Sequence, residues 1–127
     1  MNIVKVETSG IAIAVVNGVE PIINDVQSAL DFMATVRYET DCDCIVIEKP
    51  LISERFFDLK TRLAGEILQK FITYQVKTAI VGDFSMYSSQ SLKDFIYECN
   101  NGNDIFFLST EQQAIEKLSN ANPGGLR

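Results

Sequence analysis

The sequence predicts an α/β fold of the order ββαβαβαβα, in which an N-terminal β-hairpin precedes alternating helices and strands. The alternation of two sequence patterns supports this class. Short runs of apolar and β-branched residues alternate along the chain with longer stretches of helical periodicity. Such alternation favours a mainly parallel sheet with helices packed on it. The runs predicted as strands are residues 2–8, 11–16, 44–48, 78–82 and 105–108.

The length of 127 residues suits one domain, which can build a core without disulfides or metal. We place this single α/β domain at residues 1–119. Residues 120–127 contain Pro123 and two glycines, and we predict that they form a disordered tail.

Turn and capping residues mark the ends of the elements. Ser9-Gly10 separates the first two strands and predicts their hairpin. Short polar side chains accept hydrogen bonds from the free N–H groups that begin a helix, and Gln three residues later completes a capping box. The predicted caps are Asn24 with Gln27, Ser53 for a short turn, Asp58, Ser88, and Ser109 with Gln112.

A long helix is predicted from Asp58 to Tyr74, with one apolar stripe facing the sheet. Gly65 lies within it, where glycine is about 1 kcal/mol less favourable than alanine. Gly65 is therefore either a point of close packing against the sheet or simply tolerated, and we favour close packing. The stripe consists of Leu59, Leu63, Ile67 and Phe71.

The charge balance limits the classes of partner. A net charge of −6 disfavours general binding to nucleic acid or to anionic lipid, because both require a positive field. The first ten residues include Lys5 and Glu7 and predict no signal peptide, and no apolar run is long enough to span a membrane. The chain has three cysteines, an odd count that indicates reduced thiols and a cytoplasmic location.

Absent residue types exclude several chemistries. The chain contains no histidine, which removes the commonest general base and most zinc sites. It also has no Gly-rich phosphate loop. Cys42 and Cys44 form a single closely spaced pair, and Cys99 is the only other thiol, so burial as small apolar side chains is favoured over metal binding. We predict no cofactor and no metal.

Four carboxylates are candidates for a binding site. Glu48 and Asp83 end consecutive parallel strands, at the sheet edge where ligands bind in open α/β sheets. Asp58 begins the helix between these strands, and Glu66 lies deeper in it, among apolar neighbours. The cluster could bind a divalent cation or perform acid–base chemistry. The alternative interpretation is that Asp58 caps the helix and Asp83 opens a turn.

The loop after Asp83 is rich in serine. Ser85, Ser88, Ser89 and Ser91 precede or begin a helix, where free N–H groups can bind an anion. Serines at such positions are also what helix capping requires. Capping alone is the simpler interpretation.

Four segments in the middle of the chain form a specific pattern, at residues 57–61, 63–71, 79–85 and 91–98. They resemble a bacterial family catalogued as domain of unknown function 4180. The resemblance extends from the first strand to about Leu118 and implies a fold but no activity.

The predicted element order also resembles the STAS domain of anti-anti-sigma factors. Those domains are phosphorylated on a serine at the start of a helix, in an Asp-Ser-Ser-Gly setting. Asp58 is followed here by Leu59 and Lys60, and Thr61 comes two residues too late. The resemblance therefore implies a related fold without that phosphorylation switch.

We expect a non-enzymatic regulatory or protein-binding module with a STAS-like fold. Its surface would combine Asp58, Lys60 and Thr61 with the loop that holds Asp83, Ser85 and Ser91. The partner would be another protein, and self-association remains open. The alternative is a small-ligand binder or metal-dependent enzyme that uses Glu48, Asp58, Glu66 and Asp83, with Mg²⁺ as the candidate cation.

Overall fold

A five-stranded sheet forms the centre of the computed structural model, which describes residues 1–121. The strands lie in chain order, with the first pair antiparallel and the other pairs parallel. They are β1 (Asn2–Thr8), β2 (Ile11–Asn17), β3 (Cys44–Glu48), β4 (Lys77–Val81) and β5 (Ile105–Leu108). The helices are α1 (Val26–Thr40), α2 (Leu63–Thr73), α3 (Gln90–Asn100) and α4 (Glu111–Ala121). The predicted α/β class, N-terminal hairpin and mainly parallel sheet are confirmed.

The helices are divided unequally between the two faces of the sheet. Right-handed crossovers between strands in chain order place α1, α2 and α3 on one face. Their buried side chains, such as Phe32, Ile67 and Leu92, share one apolar cluster with Ile45 and Ile47 of β3. The second cluster contains alternate residues of the same strands and two residues of α4, and none from the other helices. Within residues 1–121, α4 therefore covers the second face alone.

Strands β2 to β5 were well predicted because each consists mainly of apolar residues. β3 and β5 have the predicted bounds, and β4 is shifted by one residue towards its N-terminus. The hairpin turn has φ values of 53° at Ser9 and 78° at Gly10. These left-handed conformations are typical of a two-residue turn that matches the twist of the strands. No helix of the described chain is both long and apolar enough to cross a membrane.

Two predicted capping boxes are wrong by one residue. The cap of α1 is Asp25, whose side chain accepts from the Ser28 backbone N–H, and not Asn24 with Gln27. Gln27 instead donates to Asp31. Several residues able to cap stand side by side at each site, and the pattern alone does not choose between them. The observed partners at the start of α4 are Thr110 and Gln113, not Ser109 and Gln112.

The predicted start of the second helix at Asp58 is also wrong. Asp58 caps a short 3₁₀ turn, Leu59–Thr61, by accepting from the Lys60 N–H. Arg62 then adopts a left-handed conformation with φ of 63°, which interrupts the helical path, and α2 begins at Leu63. Leu59 therefore lies outside the helix, although it packs against the core.

Gly65 does not pack against the sheet, contrary to the prediction. It is exposed, and a Cβ placed on it would have no neighbouring atom within 4 Å. The apolar side chains of α2 that face the core, Leu63, Ile67 and Phe71, leave Gly65 on the solvent side. Gly65 is therefore tolerated rather than required.

We expect Gly65→Ala to stabilise the protein by about 0.5–1 kcal/mol, because alanine restricts the unfolded chain and creates no clash. The melting temperature should rise by about 2–4 °C. Gly10→Ala is the matched control, since φ of 78° disfavours any side chain there, and it should be destabilising. A loss of stability in Gly65→Ala would contradict the exposed placement. The larger Gly65→Leu should also be tolerated.

The last helix extends into the segment predicted to be a disordered tail. α4 continues to Ala121, so the first two residues assigned to the tail are helical. The remaining residues, 122–127, lie outside the described residues.

Candidate functional site

Lys49 lies at the carboxyl edge of the sheet, directly after β3. It begins a single 3₁₀ turn with Pro50, and its side chain is only 14% exposed. The side chain crosses Gly82, which follows the neighbouring strand β4. A Cβ on Gly82 would come within 2.7 Å of the Lys49 Cβ, so the glycine permits this close approach.

The Lys49 ammonium is enclosed by a carboxylate, a thioether and two aromatic rings. Its Nζ lies 3.1 Å from Glu54 Oε2 and 3.8 Å from Met86 Sδ. It also lies 5.3 Å from the ring centroid of Phe57 and 5.1 Å from that of Tyr87. The Tyr87 hydroxyl donates to the other oxygen of Glu54 at 2.7 Å. We call these five residues the Lys49 cluster.

Stacked aromatic rings fix the cluster to the core. Phe57 and Tyr87 stack with centroids 5.1 Å apart and an interplanar angle of 18°. Phe57 also contacts Phe84 at 5.9 Å, and Phe84 packs edge-on against Phe107 of β5 at 5.5 Å. The 3₁₀ turn Glu54–Phe57 and the loop after β4 are thereby joined.

Each ionisable group of the cluster is held in its ordinary charge state. Burial alone lowers the pKa of Lys49, but hydrogen bonds with Tyr87 and Glu54 outweigh it, so this pKa lies above the usual value. Burial raises the pKa of Glu54, and its bonds to Tyr87 and Lys49 more than reverse that effect, so this pKa lies below the usual value. Burial raises the pKa of the Tyr87 hydroxyl.

The directions of these pKa shifts indicate which chemistry the cluster can perform. A general acid or base works best when its pKa lies near the ambient pH. Lys49 and Tyr87 are shifted upwards and Glu54 downwards, so all three move away from neutrality. The cluster is organised for a fixed pattern of charge and hydrogen bonds rather than for proton transfer.

We expect the Lys49–Glu54 contact to contribute about 1 kcal/mol or less at neutral pH, since Glu54 is 66% exposed. A raised folded-state pKa makes the contribution of Lys49 fully present below the ordinary lysine pKa. It is lost as the pH rises through the folded-state value. The difference in unfolding free energy between the wild type and Lys49→Met should therefore shrink above about pH 10.5. Urea denaturation of both proteins from pH 7 to pH 11.5 measures this difference in unfolding free energy. A difference that does not change with pH would contradict the contact.

Some residues predicted from the sequence border this cluster. Asp58 follows Phe57, and Asp83 and Ser85 belong to the loop that supplies Phe84. Ser85 donates to Asp83 Oδ1 from its hydroxyl at 2.6 Å and from its backbone at 2.9 Å. These bonds lower the pKa of Asp83.

Lys60 and Thr61 differ in how their side chains are used. Lys60 is exposed, with its backbone N–H bonded to Asp58. The Thr61 Oγ1 lies 2.8 Å from the Asp58 carbonyl and 2.9 Å from the Arg55 carbonyl, and it accepts from the Leu63 N–H. Thr61 therefore connects the 3₁₀ turns to the start of α2.

The remaining predicted residues are not gathered into a metal site. Glu48 is half-buried at the end of β3, while Glu66 in α2 and Ser91 in α3 are exposed. Glu66 is not buried among apolar neighbours, contrary to the expectation. Within residues 1–121, no group of three or more His, Cys, Asp or Glu side chains is arranged to hold a metal ion.

The serine and cysteine residues have structural surroundings. Ser89 caps α3 by accepting from the Leu92 N–H, one residue after the predicted Ser88. Cys42 and Cys44 are buried and Cys99 is half-buried. Burial raises the pKa of the Cys44 and Cys99 thiols, which keeps them protonated and apolar.

Four grooves of the described chain lie away from the Lys49 cluster. One of about 290 Å³ lies between α1 and the end of α2 and is lined by Leu30, Met33, Ala34, Arg37 and Tyr74. Three others, of about 250, 290 and 110 Å³, lie beside Met1 or along α4. None of these four is lined by a cluster residue.

Sequence comparison assigns the chain to a family. Residues 8–118 match the family model described as Domain of unknown function (DUF4180). The chain belongs to this family. The family resemblance predicted from the middle segments is confirmed. The curated proteins give no match, and the solved structures give none either. Membership in DUF4180 assigns no role to any residue, so the candidate site rests on its geometry.

Lys49, Glu54 and Tyr87 were missed by the sequence analysis. Each is an isolated charged or aromatic residue, and the hydrogen bonds of Glu54 to Lys49 and Tyr87 span 5 and 33 positions. One local signal was present. Lys49-Pro50 follows one strand and Gly82 follows the next, which brings a long side chain opposite a residue without one.

Proposed function

We propose that this DUF4180 chain is a non-enzymatic, STAS-like regulatory module that binds another protein through the Lys49 cluster and the segments beside it. The observation that carries this proposal is the closure of the carboxyl edge of the sheet by the Lys49 side chain. A small ligand would bind in a crevice at this edge. Lys49 fills that position and leaves an outer surface of aromatic, thioether and charged groups.

The composition of this surface suits a protein interface. Met86 is 67% exposed, and Tyr87 presents a partly buried ring whose hydroxyl is already bonded. Methionine and tyrosine are enriched in the buried centre of protein interfaces, while charged residues form the rim. Asp58, Lys60 and Asp83 supply such a rim.

The rigid base of the surface also favours binding. Phe57 and Tyr87 are stacked and fixed by Phe84, so ordering them costs little when a partner arrives. The alternative of a metal-dependent enzyme has less support, since its four carboxylates form no metal-binding group among the described residues.

The STAS-like part of the proposal rests on the element order ββαβαβαβα. In the STAS domains of anti-anti-sigma factors, phosphorylation of a serine at the start of a helix acts as a switch. Leu59 stands at the corresponding position here, and the Thr61 hydroxyl is occupied by backbone carbonyls. Recognition would therefore depend on the permanent shape and charge of the surface.

Affinity capture from native cell extract tests the proposal. Wild type is compared with Lys49→Met, which keeps the methylene packing and removes the charge, and with the double variant Asp58→Ala/Lys60→Ala. Tyr38→Ser is the matched control, since Tyr38 is 92% exposed on α1, towards the opposite edge of the sheet. Thermal unfolding of every variant shows that the fold is retained.

The proposal expects at least one protein to be retained by wild type and Tyr38→Ser and depleted with Lys49→Met. Depletion with Asp58→Ala/Lys60→Ala would place the rim in the interface. Equal capture by wild type and Lys49→Met would contradict the proposal. So would a specific metal- or metabolite-dependent rise in melting temperature that requires Glu48 or Asp83.

A further inference from the structure

The two edge strands of the sheet, β5 and β1, differ in whether their outer backbone groups are paired. β5 is only four residues long, and the Asn100 side chain pairs with its outer edge. The Asn100 amide donates to the Phe107 carbonyl at 3.1 Å and accepts from the Phe107 N–H at 2.7 Å. Within residues 1–121, β1 is seven residues long and pairs with β2 on one side only. An open edge of this length is a template for another strand.

The hairpin geometry determines which backbone groups of β1 point outwards. The two-residue turn Ser9-Gly10 makes Thr8 and Ile11 a pair that exchanges backbone hydrogen bonds. These pairs alternate along an antiparallel ladder, so Val6 and Val4 also point their N–H and C=O groups towards β2. Lys5 and Glu7 point theirs towards the open edge.

We propose that two copies of this chain associate through β1, antiparallel and centred on Val6, so that their sheets become continuous. In this register Lys5 of each copy lies opposite Glu7 of the other. The outward backbone groups of these residues exchange hydrogen bonds across the two-fold axis. The exposed side chains of Lys5 and Glu7 lie on the same face of the sheet as Ile3, the face that α1, α2 and α3 cover. Across the pair they form two cross-strand ion pairs.

The charges select this register from its neighbours. Centring the pair on Lys5 would place two ammonium groups opposite each other, and centring it on Glu7 would do the same with two carboxylates. Centring on Val4 would place Lys5 opposite Ile3 and leave the charges unpaired. Like charges directly opposite are destabilising, whereas opposite charges are favourable. Of these four registers, only the one centred on Val6 places both charged residues of the strand opposite a residue of opposite charge.

The other face of β1 also gains from this pairing. Val4 is 45% exposed, and Val6 is partly buried against the cluster that α4 covers. In the proposed register Val6 lies opposite Val6 of the second copy, and Val4 lies opposite Thr8. The partly exposed valines therefore become covered by the same contact that pairs the charges.

Charge reversal and its restoration test the proposal with the full chain. Glu7→Lys places lysine opposite lysine at both pairs and should weaken dimerisation about tenfold or more, as should Lys5→Glu. The double variant Lys5→Glu/Glu7→Lys exchanges the charges and should restore the dimer. Glu20→Lys and Lys93→Glu are exposed controls with the same changes in net charge. Sedimentation velocity over a range of protein concentrations measures the dissociation constant, and thermal unfolding checks each fold.

The expected result is a wild-type dimer, weaker association in both single variants, and recovery in the double variant. A monomeric wild type at high protein concentration would overturn the proposal. A dimer unaffected by either single variant would also overturn it, since association would then use another surface. Failure of the double variant to recover would exclude the Val6 register. These outcomes are independent of the Lys49 cluster, which lies at the carboxyl end of β3.

Discussion

Replacing Phe71 by alanine is expected to lower the free energy of unfolding by about 3–5 kcal/mol. The Phe71 side chain is 1% exposed in α2 and belongs to the cluster between the sheet and the three helices on its first face. The cost combines the lost transfer free energy of the ring with the cavity that remains. A domain of this size is stable by only about 5–15 kcal/mol, so the variant should be close to unfolding at physiological temperature.

Urea denaturation measures this loss, with Ile72→Ala as the matched control on the same helix. Ile72 is 42% exposed and should lose much less stability than Phe71. A loss below about 1 kcal/mol for Phe71→Ala would mean that the face of α2 is wrongly assigned, because that lies below the range for a buried aromatic residue. Equal losses in the two variants would lead to the same conclusion.

Replacing Leu118 by alanine is expected to cost about 2–5 kcal/mol. Leu118 is fully buried in α4, the only helix of the described chain that contributes to the second apolar cluster. Weakening α4 uncovers strand residues that no other helix of residues 1–121 contacts, including Ile13, Val46 and Phe106. The variant should therefore bind a hydrophobic dye more strongly and aggregate at lower temperature than wild type.

Asn120→Ala is the control for this prediction, because Asn120 is exposed in the same helix. It should behave like wild type in urea denaturation and in dye binding. If Leu118→Ala also behaves like wild type, α4 does not cover the second face as described. A two-step unfolding curve in Leu118→Ala, with α4 released first, would still agree with the described packing.

Strands β2 to β5 could be predicted from sequence because they are largely buried on both faces. Residues 44–47 and 105–108 are continuous apolar segments, as is typical of such strands. The start of α2 could not be predicted in this way. Asp58 looks like a helix cap, and it does cap a turn, but the left-handed Arg62 interrupts the path four residues later. No local pattern distinguishes arginine in that conformation from arginine in a helix.

The candidate site illustrates a different limit. The sequence directed attention to the strand ends, where Asp83 and Ser85 bond to each other in the loop that supplies Phe84. The central residue, Lys49, was overlooked because an isolated lysine after a strand is usually exposed. Its burial depends on Gly82, which follows the next strand, and on two aromatic rings from different segments. Such a contact exists only after the sheet has formed.

Glu66 and Gly65 were both misplaced, although the apolar stripe of α2 was correctly predicted. Leu63, Ile67 and Phe71 face the core, and Gly65 and Glu66 lie on the opposite side of the helix and are exposed. A glycine expected to pack closely and a carboxylate expected among apolar neighbours are therefore both on the solvent side. The predicted carboxylate site thereby loses Glu66, while the surface beside Asp58 and Asp83 remains.

The most direct test of the proposed function is the affinity of the captured partner for the purified chain. Isothermal titration calorimetry compares wild type, Lys49→Met and Tyr38→Ser after thermal unfolding has shown all three to be folded. We expect Lys49→Met to bind at least about tenfold more weakly, as for a residue at the centre of an interface, and Tyr38→Ser to bind like wild type. Affinities for wild type and Lys49→Met within about twofold, which is less than 0.5 kcal/mol, would contradict a binding surface centred on Lys49.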